Sequence, residues 1–95
     1  MAKNSSRFHD ISKKLKALPL ANRFTDAYLM SVATIVDVQL MRRQPLEEGI
    51  AQLKMLPEPS KVQRTRLVRF QKALKTSIVI LESYEIEFGV RFHET

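Results

Sequence analysis

Ninety-five residues make one domain around one core, 1–95, with short flexible ends expected. A chain this short buries only about two-thirds of its unfolded surface, so a second subunit would help complete it. At 44% hydrophobic and 27% charged residues the chain is too apolar for disorder, and with no cysteine it has neither a disulfide framework nor a thiolate zinc site. Its net charge of +6 is uneven: residues 1–20 carry +4, 21–45 carry +1, 46–60 carry −2, 61–75 carry +6 and 76–95 carry −3.

The first twenty residues hold basic side chains but no continuous apolar run, so they read as no secretory signal, and a cytoplasmic protein is expected. Phe8, Ile11, Leu15 and Leu18 recur at spacings of three and four, the mark of a short helix with one apolar stripe, and Pro19 ends it.

From about Ala21 to Arg43 the pattern predicts a central helix, apolar except for a narrow polar stripe through Asn22, Asp26, Thr34 and Asp37. Such a helix needs cover on several sides, which other helices and a second copy of the chain could supply. The β-branched run through Val32, Thr34, Ile35, Val36 and Val38 leaves a strand as the alternative. Asp26 and Asp37 interrupt it as a membrane span.

Pro45 suits the first position of a new helix, and Glu47 and Glu48 place negative charge at the positive end of its dipole. That helix, through Leu46, Ile50 and Leu53, has to stop before Pro57 and Pro59. Ser60 and Gln63 then form a capping-box signature, so a last helix starts at Lys61. Projected at 100° per residue, Leu67, Phe70, Leu74, Ile78 and Leu81 fall in a band of about 80° that marks its core face. Lys61, Arg64, Arg69, Lys72 and Lys75 lie opposite, with Arg66 toward the apolar margin.

Beyond Leu81, Tyr84, Ile86, Phe88, Val90 and Phe92 alternate with Glu85, Glu87, Gly89 and Arg91, the period of a strand. The helical alternative keeps Leu81, Tyr84 and Phe88 on one stripe and frays at Gly89. The fold class expected is therefore all-α, a small bundle of about four helices in a homodimer, with α+β and a C-terminal strand near 84–92 as the alternative.

Little in the chain points to catalysis. His9 and Asp10 are adjacent, so on a helix they project about 100° apart and face no common atom. His93 stands near the end of the chain and makes no metal site with His9. Gly49 and Gly89 are the only glycines, which leaves no phosphate-cradling loop. The carboxylate pairs Glu47/Glu48 and Glu85/Glu87 have structural readings at a helix start and on an exposed face. The reading is of a non-enzyme without cofactors or metals.

FGVRF at 88–92 superficially resembles the aromatic strand of an RNA-recognition sheet, but the nearby Glu82, Glu85 and Glu87 would repel phosphate. A cationic helix face is what phosphate contacts require. The expected function is DNA binding by a small basic homodimer with a regulatory or accessory role. Lys61, Arg64, Arg66, Arg69, Lys72 and Lys75 would make the contacts, with Lys13, Lys14 and Lys16 as auxiliaries. A helix-turn-helix, with 46–56 as first helix and LPEPS as turn, is one version. The alternative is an adaptor, regulator or small chaperone that binds an acidic protein partner. A third possibility is structural, with the acidic C-terminal segment folding back or crossing the dimer to neutralise the basic face.

Overall fold

A computed structural model describes residues 6–92. Among these residues the chain forms three α-helices, α1 (Phe8–Lys16), α2 (Asp26–Lys54) and α3 (Lys61–Phe88), with a short 3-10 turn at Pro19–Arg23 and no strand. The all-α class holds. The β alternatives for 32–38 and 84–92 do not, and three α-helices stand where about four were expected.

The apolar stripe of α1 is as expected: Ile11 and Leu15 are buried, and Phe8 and Leu18 pack against the same cluster. The helix stops at Lys16, and Pro19 opens the 3-10 turn that leads into α2, whose N-cap Thr25 accepts the Tyr28 amide at 3.1 Å.

α2 passes through Pro45 without ending. A proline inside a helix removes one amide donor and costs roughly 3 kcal/mol. What offsets this is tertiary: Leu40 and Leu46 are partly buried on either side of it and Ile50 is buried, while Pro45 itself is exposed. Gln44 donates to Glu48 and Arg43 pairs with Glu47 at 3.6 Å, both one turn apart across the break in the ladder. The separate 46–56 helix expected from the sequence is thus the second half of α2.

α3 starts as the sequence signals. Ser60 Oγ accepts the Gln63 amide at 3.1 Å, and Gln63 Oε1 accepts the Ser60 amide at 2.8 Å. It ends at Gly89, whose left-handed φ of 66° is open to glycine at no steric cost. The apparent alternation of 84–92 belongs to two different structures. Tyr84 and Phe88 share a helical face, Ile86 projects outward at 82% exposure, and Val90 and Phe92 follow the cap and turn back onto the core.

α2 and α3 run antiparallel over nearly their whole length. Tyr28 Oη donates to Glu87 at 3.1 Å, Ser77 Oγ donates to Gln39 Oε1 at 2.6 Å, and Gly49 faces Phe70, so facing positions sum to a nearly constant number. At the last pair a methyl on Gly49 would stand 2.6 Å from Phe70 Cε2. The absent side chain lets the ring lie on the α2 backbone. Partial burial, and secondarily the Glu87 carboxylate, hold the Tyr28 phenol above its ordinary pKa.

α1 covers only one end of this hairpin. Its position is fixed by Asp37 on α2, whose Oδ1 accepts the Arg7 amide at 2.7 Å and whose Oδ2 accepts Ser6 Oγ at 2.8 Å. The buried carboxylate therefore stands at the positive end of the α1 dipole. Asp37→Ala is expected to cost about 2 kcal/mol by removing these charge-assisted bonds. Urea denaturation would measure the loss, and faster amide exchange confined first to α1 would show where it acts.

The main core cluster, Ile11, Leu15, Leu29, Val32, Ala33, Val36, Leu81, Phe88 and Phe92, lies wholly in this three-helix body, and Ile50 is buried apart from it on the arm. Beyond the level of Asp37 the hairpin continues as two helices only, 38–54 and 61–77, an arm about 25 Å long. This accounts for the elongated extents of 54 × 29 × 20 Å. Within one chain, α2 is covered by α1 and α3 over its first half and by α3 alone over its second. Among the described residues no helix is long and apolar enough to cross a membrane.

Candidate nucleic-acid interface

The division into body and arm also divides the charge. Among the described residues the body holds six Lys and Arg against six Asp and Glu and is balanced. The arm holds nine, Arg42, Arg43, Lys54, Lys61, Arg64, Arg66, Arg69, Lys72 and Lys75, against Glu47, Glu48 and Glu58. The excess of six charges therefore sits on the two-helix projection.

Six of those cations ride on α3, where the helical period fixes their direction. Leu67, Phe70 and Leu74 turn toward α2 and are half-buried, while Lys61, Arg64, Arg66, Arg69, Lys72 and Lys75 are all exposed. None of the six is in an ion pair among the described residues. Arg64 Nη1 donates to the Pro59 carbonyl at 3.1 Å, which ties the loop to the first turn and leaves the charge at the surface. From Lys61 to Lys75 the row spans about 21 Å, the length of roughly six base-pair steps of B-form DNA.

Within one chain the acidic C-terminal segment does not fold back on this row. Because α3 is continuous to Phe88, Glu82, Glu85 and Glu87 continue along the same axis into the body. There Glu87 accepts from Tyr28 and Glu85 Oε2 accepts the Phe92 amide at 2.8 Å. The fold-back expected as a structural explanation of the charge is absent.

Lys13, Lys14 and Lys16 lie elsewhere. They project from α1 on the body, and Lys14 Nζ donates to the Arg91 carbonyl at 2.9 Å. They do not extend the α3 row. Arg42, Arg43 and Lys54 join the arm instead, a contribution that depends on the antiparallel pairing of α2 with α3. His9 is exposed on α1, and His93 lies outside the described residues.

The helix-turn-helix version does not survive. Met55–Ser60 reverses the chain between two long helices in an αα-hairpin, whereas a recognition helix stands at a steep angle to a short first helix. The hairpin tip also exposes apolar surface, with Met55 at 82% and Val62 at 66%. Comparison with protein-family models, curated proteins and solved structures finds no match to the chain.

Proposed function

We propose that this chain is a small nucleic-acid-binding protein that holds the phosphate backbone of duplex DNA with the arm, in a regulatory or accessory role in the cytoplasm. The observation that carries the reading is the concentration of the excess charge on one projection, unpaired along α3, while the body is balanced. Charge of one sign assembled in this way repels itself unless a polyanion answers it. Loss of the helix-turn-helix geometry favours contacts to phosphates over reading of bases. Homodimerisation belongs to the same proposal, supported by the small core of so short a chain and by an arm only two helices thick.

Retardation of duplex DNA by the purified protein at low salt, relieved as salt rises, is the expected result. No retardation at low salt would refute it. The exposed Met55 and Val62 support a second reading, docking of an acidic protein on the tip. Under that reading a discrete partner remains bound to the native protein after nuclease treatment.

A further inference from the structure

The outward surface of α3 carries a pattern that the basic row does not explain. Val68, Lys72, Lys75, Val79, Glu82 and Ile86 follow one another at steps of four, three, four, three and four. This places them within about 80° of one another on the helix. Val68, Val79 and Ile86 are 48%, 54% and 82% exposed, and the three charged residues are exposed as well. The stripe faces away from the side of α3 that packs on α2, where Leu67, Leu74 and Leu81 lie.

We infer that this stripe pairs with itself in a second copy of the chain, antiparallel, about a twofold axis at the level of Ser77. The positions are symmetric about that level: Val68 meets Ile86 of the second copy, Lys72 meets its Glu82, and Lys75 meets its Val79. An antiparallel two-helix seam requires this 4–3 alternation to read the same in both directions, and here it does. Charge is complementary as well, since the basic half of α3 lies along the acidic half of the other helix. The flanking residues add no like-charge contact: Gln71 faces Glu85, Arg69 faces Ser83, and Thr76 and Ile78 face themselves.

This inference rests on the homodimer part of the proposed function and names its surface. It leaves Lys61, Arg64, Arg66 and Arg69 free at both ends of the pair. The middle of that cluster, near Thr65, is about 18 Å along the axis from Ser77. The two clusters are thus about 36 Å apart, close to one turn of B-form DNA. Lys72 and Lys75 hold the seam in place of phosphate. Polar residues at seam positions weaken a pair and fix its register, so the dimer is expected to be reversible, on the order of micromolar.

Sedimentation equilibrium of the full chain tests this. Lys72→Glu and Glu82→Lys, each at an exposed site, should weaken the dimer at least about tenfold by setting like charges opposite each other. The double exchange should return it to within about threefold of the wild type. Ile86→Ser should weaken it without a change of charge. Thermal melts of all four variants at dilute concentration should match the wild type, which shows that the fold is retained. A wild-type chain that stays monomeric at about 200 μM would overturn both the dimer and this surface. A dimer unmoved by the single substitutions would overturn the surface and leave the dimer standing, and a double exchange that fails to restore it would overturn the register.

Discussion

Phe88→Ala is expected to remove about 3–5 kcal/mol of stability and to leave much of the protein unfolded at physiological temperature. Phe88 is 2% exposed and lies where the last turn of α3 meets the entry to α2. Its ring centroid is 5.3 Å from Phe24 and 6.5 Å from Tyr28, and those two stack at 5.2 Å. Truncation removes the most buried ring of this trio, at the end of the body where the main core cluster is gathered. A domain of this size holds a total of roughly 5–15 kcal/mol, so the loss is a large share of it. The melting temperature should fall by about 15–30 °C, read by circular dichroism at 222 nm.

The contrast with Ile86 makes the same experiment a test of local structure. On a helix, positions 86 and 88 project about 200° apart, and Ile86→Ala at dilute concentration should change stability by no more than about 0.5 kcal/mol. On a strand the two would share a face, and both truncations would be costly.

The second large effect concerns binding. Replacing Lys61, Arg64 and Arg69 together by Gln should lower affinity for generic duplex DNA by at least about a hundredfold at ~50 mM salt. The slope of log K against log salt should fall by about 3 in magnitude, near 0.9 for each phosphate that is no longer neutralised. All three side chains are exposed; Lys61 and Arg64 lie beyond the proposed seam and Arg69 flanks it opposite an uncharged Ser83, so fold and self-association should persist. Removal of Lys61 from the first turn of α3 also relieves a positive charge at the positive end of the helix dipole. Unchanged affinity in the triple variant would place the contacts elsewhere.

Local signals in this sequence agree with the structure where one short-range interaction decides the outcome. The Ser60–Gln63 capping box, the stop before Pro57 and the Ile11–Leu15 stripe are of this kind, and the outward row of cations on α3 follows from the helical period alone. The departures share a cause, which is tertiary packing that outweighs a local preference. Pro45 suggests a helix start, but Leu40, Leu46 and Ile50 packed along α3 hold α2 together across it. The alternation after Leu81 suggests a strand, but burial of Phe88 and Phe92 selects the helix and its Gly89 cap, with Ile86 left outside.

The site was legible in the same proportion. Its six α3 cations could be named from sequence, whereas Arg42, Arg43 and Lys54 join them only because α2 is continuous and antiparallel to α3. Exclusion of Lys13, Lys14 and Lys16 from the row depends on Asp37, which anchors α1 on the body. Whether the acidic end could fold back on the row within one chain depended on a break in the last helix, and α3 is continuous to Phe88.

Salt titration of DNA binding by the unaltered protein tests the central claim most directly. With duplex DNA of arbitrary sequence, fluorescence anisotropy between about 50 and 200 mM salt should give a log–log slope of about −3.6 or steeper, from the four α3 cations left free by the proposed seam. Binding that is absent at 50 mM, or that is insensitive to salt across this range, would contradict the assignment of the arm to phosphate.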